Sequence, residues 1–286
     1  MTELISLAAP AKINLSLRIL GKRPDGFHEV ETLMVPLALA DEVEVAHGSG
    51  TGIRFTCNDP ELPTDSENLC VKAAEVFLAA TGIEHGIAIS LMKRVPHGAG
   101  LGGGSSDAAA VLCGLNELFD DPLVSEELHQ LAAQLGSDVP FFLEKGPAWC
   151  RGRGEILEST DALPHRRLLL IKPPFPVPTP WAYKRYAEMQ QASETHAEIV
   201  QSLEGIKLVN DLEPPVFEKY LLLPVMKSWL RTQPCVESAF MSGSGSTMVA
   251  IIAPDALEES VTVLKEKLTV EFGPELWIHE ATFLNG

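Results

Sequence analysis

The chain has 286 residues, 45% hydrophobic and 21% charged, enough for one large or two medium domains, with two the better expectation. Its 39 acidic against 22 basic residues give a net charge of −17, which argues against DNA, RNA or an anionic membrane as partner. No apolar run reaches the roughly 20 residues of a membrane span, and MTELISLAAPAK lacks the basic start of a signal peptide. Five scattered cysteines (57, 70, 113, 150, 235) without a CxxC pair fit reduced thiols and a cytoplasmic location, not a disulfide framework or a zinc site.

Residues 5–20 alternate as a strand, with Ile13, Leu15, Leu17 and Ile19 set against Asn14, Ser16 and Arg18. After the turn GKRPDGFHE, VETLMVPLAL and DEVEVAH are both extended. Residues 68–80 predict a helix with Leu69, Ala73, Val76 and Phe77 on one side, closed by Gly82. GIAISLMKRV (86–95) is a further strand, followed by helices from about Ser105 to Phe119 and over 125–136. GRGE and ALPHRR turns before the strand RLLLIK mark a boundary between domains 1–157 and 158–286. Five prolines within 173–180 predict a stiff, extended segment. Helices are expected over 181–192, 194–204 and 215–231, then the strand–loop–strand unit ESAFMSGSGSTMVAIIA, a charged helix over 255–267 and a last strand, ELWIHEATF. Strands that lead and helices that follow, without strict βαβ alternation, indicate an α+β fold.

GAGLGGGSS (98–106) places five glycines in seven residues directly before a helix. Each glycine adds to the entropy lost on ordering, so such a loop implies a large polar group lying against the main chain. The P-loop pattern GxxxxGK[ST] fails, because Gly104 stands where lysine should follow Gly103. Gly98, Gly100 and Gly103 meet GxGxxG, but no second parallel strand with its acidic residue follows. The remaining phosphate-binding reading is a loop whose amides, with the helix N-terminus, wrap a triphosphate. Ser105, Ser106 and Asp107 would cap that helix, and the serine hydroxyls could bind phosphate or Mg²⁺. A serine-capped strand-to-helix turn is the plainer alternative.

PHGAGLGGGSSDAAA resembles the second signature of the galactokinase–homoserine kinase–mevalonate kinase–phosphomevalonate kinase superfamily. PAKINLSLRILGKRPDGFHEVETLM and SDVPFF (137–142) resemble one branch of it, whose acceptor is a methylerythritol carrying a cytidine diphosphate. GRGE, NDLEPP and MSGSGST follow in that branch's order, so the resemblance spans essentially the whole chain. It implies two α+β domains, a ribosomal-protein-S5-like first and a ferredoxin-like second, with ATP and acceptor in the cleft between. It further implies Mg²⁺-dependent transfer of the γ-phosphoryl of ATP to the acceptor's tertiary C2 hydroxyl.

The resemblance puts the proton acceptor on Asp138 and a cation on Lys12. Read from the residues alone, Asp138 could equally cap a turn, and Lys12 could snorkel from an edge strand. An ammonium within the apolar run LAAPAKINL is nevertheless costly unless it is paired. By resemblance the cytosine lies between Phe27 and Tyr183, with His28 at its polar edge, Asn14 at the methylerythritol end, and Thr179 with Pro180 leading into Tyr183's helix. Taken alone, Phe27 and Tyr183 are better explained by core packing than by stacking, and a linker would explain the prolines. At the nucleotide end the resemblance gives Asn68 to adenine. The triphosphate falls to Pro96, Gly98, Gly100, Leu101, Gly102, Gly103, Gly104, Ser105 and Ser106, with Lys93 as a neutralising cation and Ser106 as a metal ligand. Asn68 would also serve as a plain helix cap, and Lys93 as a solvated strand end. The second glycine run, Gly243, Ser244, Gly245 and Ser246, resembles the superfamily's third signature and is expected to abut the first loop; a hairpin turn is its alternative.

Overall fold

The computed structural model describes residues 4–191 and 201–285. Its frame is a hairpin of two unusually long strands, β1 (Leu4–Lys22) and β2 (His28–His47). VETLMVPLAL and DEVEVAH are thus one strand. The ladder skips between Pro10 and Lys12, opposite Pro36, where proline has no N–H to give, and again between Asn14 and Ser16. Then follow β3 (Ile53–Cys57), α1 (Leu69–Thr81), β4 (Ile87–Met92), α2 (Gly103–Leu118) and α3 (Ser125–Leu135). A 3-10 turn at Pro140–Leu143 leads to β5 (Ala148–Gly152), β6 (Ile156–Ser159), β7 (Arg167–Lys172) and α4 (Thr179–Gln191). The remainder comprises β8 (Gln201–Leu203), β9 (Ile206–Asn210), α5 (Glu213–Lys219), α6 (Leu222–Leu230), β10 (Val236–Met241), β11 (Met248–Ile252), α7 (Glu258–Phe272) and β12 (Trp277–Thr282).

An eight-stranded sheet runs β3-β4-β2-β1-β9-β8, with β5 on the other reach of β2 and β6 beside it; β10-β11-β7-β12 form a second sheet. The expected boundary after residue 157 falls within β6, and β9 returns from the second half to lie parallel to β1. The first sheet therefore draws strands from both halves of the chain. Helices α1, α2 and α3 bury Phe77, Val111, Leu112, Leu115 and Leu131 against Val43, Val45 and Ile89 of the sheet. Ile13, Leu15 and Val35 pack instead with Leu168, Leu170, Phe240 and Val249 of the second sheet, so one apolar layer joins the two. Both faces of β1 are covered from Ala11 to Leu17, its polar face included.

Two helix expectations need correction. Residues 215–231 form two helices, α5 and α6, separated at Tyr220–Leu221. Of the helix expected over 194–204, residues 194–200 lie outside the described residues and 201–203 are strand β8. The strands that sequence patterning missed (β3, β5, β6, β8, β9) have five residues or fewer, too short to show a period. Among the described residues no helix is long and apolar enough to cross a membrane.

Candidate active site

The bulges in β1 aim its buried polar residues. With the ladder broken at Ala11, Lys12 N–H donates instead to the Leu101 carbonyl of the glycine loop, 2.9 Å away. Lys12 and Asn14, two apart on a strand, share a face. Lys12 Nζ donates to Asn14 Oδ1 at 2.7 Å, Asn14 Nδ2 to Thr32 Oγ1 at 2.8 Å, and Thr32 Oγ1 to the Ser16 carbonyl at 2.6 Å. This relay fixes the amide of Asn14 and leaves the lysine ammonium one further partner, Asp138 Oδ2 at 3.3 Å. The Lys12 side chain is 5% exposed and that of Asp138 is 31% exposed. Asp138 itself is held by the 3-10 turn that follows, anchored by the fully buried Phe141 among Met34, Ala148 and Cys150.

Beside this pair lies a cleft of about 340 Å³. Its wall includes Lys12, Asn14, Asp138, Thr179 and Tyr183, the loop from Pro96 to Ser105, and Gly243 with Ser244. The chain thus brings together residues more than 230 positions apart. The two glycine loops are stapled to one another: Ser242 Oγ donates to the Gly100 carbonyl at 3.0 Å and Thr247 N–H to the Ala99 carbonyl at 3.2 Å. Gly100 has φ +76°, and a Cβ there would lie 2.3 Å from the Ser242 carbonyl oxygen. At Gly102, φ +71°, a Cβ would strike the Lys12 side chain at 2.9 Å, so glycine lets that chain pass beneath the loop. Gly100→Ala is expected to part the loops, costing about 1–3 kcal/mol of stability in urea unfolding and raising the KM for ATP. Wild-type values for both would refute that packing.

Several residues differ from expectation. Helix α2 begins at Gly103 behind a left-handed Gly102, with no side-chain cap, so Ser105, Ser106 and Asp107 lie inside its first turns. The free N-terminal amides are therefore those of Gly102, Gly103, Gly104 and Ser105, and the glycines admit closer approach. Ser105 lines the cleft, whereas Ser106 is 1% exposed, off the cleft wall, its buried Oγ unpartnered. Ser106 therefore does not fit a metal ligand; Ser105 and Asp138 are among the oxygen-bearing side chains that line the cleft, with Asn14, Thr32, Thr179 and Ser244. Among the described residues no group of three His, Cys, Asp or Glu could hold an ion without phosphate oxygens.

Lys93 is also corrected. Its buried ammonium lies between Asp41 and Asp107, 2.8 Å from the latter, with a hydrogen bond to each. Burial lowers its pKa, but the two carboxylates outweigh that and raise it. Asn68 caps α1, accepting from Cys70 N–H at 2.9 Å, while its Nδ2 donates to the Pro63 carbonyl at 2.8 Å.

At the other end, the ring stacked on Tyr183 is that of His28, with centroids 5.3 Å apart and planes at 30°. Burial pushes the His28 imidazole pKa down and the Tyr183 phenol up. His28 Nε2 is buried without a hydrogen-bond partner. Phe27 is half exposed and carries the Arg153 guanidinium over its ring at 5.0 Å. Thr179 Oγ1 and Ser244 Oγ are 2.8 Å apart, and Ser246 Oγ donates to the Phe175 carbonyl at 2.5 Å, so the proline segment buttresses the second glycine loop. Gly245 and Ser246 are outside the wall, behind Gly243 and Ser244.

Sequence reasoning missed Thr32 and Asn210, and it left Arg151 and Arg153 open between site cations and surface charge. Asn210 Nδ2 donates to the carbonyls of Met241 (2.7 Å) and Gly243 (2.8 Å), bracing the second glycine loop from β9. The asparagine in NDLEPP was the available signal.

A model of the GHMP kinases N terminal domain matches residues 68–146, which contain the first glycine loop and Asp138. The 4-diphosphocytidyl-2-C-methyl-D-erythritol kinase of Methylacidiphilum infernorum is 49% identical over 276 residues, 96% of this chain and 95% of its own. That of Protochlamydia amoebophila is 40% identical, over 86% of this chain and 84% of its own. A crystal structure of a 4-(cytidine 5'-diphospho)-2C-methyl-D-erythritol kinase matches with TM-score 0.75 at 34% identity, covering 99% of this chain and 100% of that one. Identity at this level along nearly the full length, on the same GHMP kinase fold, shows that the chain belongs to the 4-diphosphocytidyl-2-C-methyl-D-erythritol kinase family.

Proposed function

We propose that the chain transfers the γ-phosphoryl of ATP to the C2 hydroxyl of 4-diphosphocytidyl-2-C-methyl-D-erythritol, giving the 2-phosphate and ADP. This reaction lies on the non-mevalonate route to isoprenoid precursors. The observation that carries the reading is the Lys12–Asp138 pair at 3.3 Å, set beside a cleft walled by two glycine loops.

A phosphoryl-transfer site needs position and charge more than covalent chemistry. Asp138 accepts the acceptor hydroxyl's proton on its partly exposed carboxylate. Lys12, 3.3 Å from that carboxylate and lying against the glycine loop, offers positive charge where the transferring group passes. Asn14, its amide fixed by Lys12 and Thr32, orients the methylerythritol end. The amides of the first loop and of the α2 N-terminus receive the triphosphate, with Gly243 and Ser244 closing the other side. When bound, Mg²⁺ would neutralise phosphate charge, held by phosphate oxygens with Ser105 and Asp138.

Phe27, His28 and Tyr183 serve the cytosine, through stacking worth about 1–3 kcal/mol. Tyr183 lines the cleft, and His28, behind it, stacks on its ring and fixes that face for a base. Five free cysteines support a reducing, cytoplasmic location.

Phosphoryl transfer from ATP, offered the cytidine-diphosphate acceptor, methylerythritol phosphate, mevalonate and homoserine in parallel, tests the reading. Turnover of the first alone is expected. Turnover of mevalonate or homoserine instead would overturn the roles of Phe27, His28 and Tyr183.

A further inference from the structure

We infer that Arg153 is the cation that recognises the diphosphate of the nucleotide-bearing acceptor, a specificity-determining residue distinct from the base-stacking rings. The inference rests on the function proposed above. A chain of net charge −17 must supply local cations wherever it binds a diphosphate. Of the lysine and arginine side chains in the cleft wall, Lys12 is held by Asn14 and Asp138, which leaves Arg153. Neighbouring arginines are committed: Arg151 to Glu31 and Glu158 at 3.0 and 2.5 Å, Arg23 to Asp25 and Glu29 at 3.1 and 2.5 Å.

Arg153 differs. Its nearest carboxylate, Glu155, lies 3.8 Å from Nε, beyond hydrogen-bond reach. Glu155 Oε2 instead accepts Arg153's own backbone N–H at 2.6 Å, so the carboxylate shapes the turn and leaves the guanidinium's donors free for a ligand. Position completes the argument. The guanidinium lies 5.0 Å over Phe27, at the base end. The next residue, Gly154, packs against the other end, where a Cβ would sit 3.2 Å from the Ser137 carbonyl and 3.7 Å from Asp138 Oδ1. A base at Phe27 and a hydroxyl at Asp138 put the two linking phosphates between those points. Stacking on Phe27 holds the planar fork in place beforehand, which suits bidentate phosphate recognition.

The test compares Arg153→Met and Arg153→Lys with wild type by steady-state kinetics and by calorimetric binding of CDP and cytidine. In Arg153→Met the KM for the cytidine-diphosphate acceptor is expected to rise about tenfold or more, beyond any fall in kcat, with the KM for ATP within about twofold of wild type. Arg153→Lys should recover part of that loss through its point charge. Wild type should bind CDP about tenfold more tightly than cytidine, and the gap should close in Arg153→Met. An unchanged acceptor KM with the CDP–cytidine gap intact would overturn the assignment of Arg153 alone. A rise confined to the KM for ATP would also overturn it. A wild-type protein that turns over no cytidine-diphosphate acceptor would overturn the underlying function, and this assignment with it.

Discussion

Asp138→Asn is expected to lower kcat by about 10²–10⁴-fold with the fold intact. The substitution keeps size and shape and leaves the amide beside Lys12, whose Nζ is 3.3 Å from the carboxylate in the wild type. What it removes is the capacity to take a proton from the acceptor hydroxyl. The turn holding residue 138 depends on Phe141 and Pro140, so the fold is kept, but the buried Lys12 ammonium loses its counter-charge and stability should fall by about 1–3 kcal/mol, less than at a fully buried pair because Asp138 is partly exposed. Michaelis constants should move far less than kcat, because a proton transferred in the transition state contributes little to ground-state binding. Steady-state kinetics with the cytidine-diphosphate acceptor decide it: a kcat within tenfold of wild type would remove Asp138 as the base.

Lys93→Met carries the largest expected loss of stability, about 3–5 kcal/mol, because it leaves two buried carboxylates without their cation. Asp41 is fully buried and also accepts the backbone N–H groups of Arg94 and Val95. Asp107 is 3% exposed, with its second oxygen unpartnered. One cation between two carboxylates leaves a buried net charge of −1. Burial pushes the Asp107 carboxyl up from 3.8 to about 7; Asp41 adds to the rise, and Lys93 opposes it.

The sign of the pH dependence follows from that shift. With a folded pKa above the unfolded one, the native state binds more protons between about 4 and 7. This stability is present in full below about pH 4 and is lost as pH rises to 7, by an amount on the order of a few kcal/mol. Asp107→Asn removes the titration and leaves a neutral Lys93–Asp41 pair, so it should flatten the slope and match or exceed wild-type stability at pH 8. Urea midpoints at pH 5 and 8 for all three proteins test both variants. A wild-type-like Lys93→Met, defective only in its KM for ATP, would return Lys93 to the phosphates.

Much of the site was legible in one dimension because its chemistry is carried by local pattern. A run of glycines before a helix implies backbone left bare for a ligand, and the structure puts that loop on the cleft wall. A lysine in an apolar strand must find a counter-charge, and Lys12 finds Asp138. Strand β1 and helices α1, α2 and α3 followed from periodicity, since each is long enough to show one. Asn68 followed from residue type, as a helix cap.

Which charges meet across the chain was not legible, because strand register and bulges set it. Lys93 lies at the end of a strand next to a glycine loop, where residue order suggests a phosphate cation. The pairing of β2 with β4 instead brings it to Asp41, and the start of α2 at Gly103 turns Asp107 onto it. Arg151 and Arg153, two apart in sequence, are alike on paper. The carboxylates of Glu31 and Glu158 occupy the first, while Glu155 is drawn to the turn's own backbone and leaves the second facing the cleft. Residue types along the chain determine which chemistry is available, whereas the packed arrangement decides which charges are neutralised at home and which are left for a ligand. A buried charge takes whichever partner the fold brings within a few ångströms.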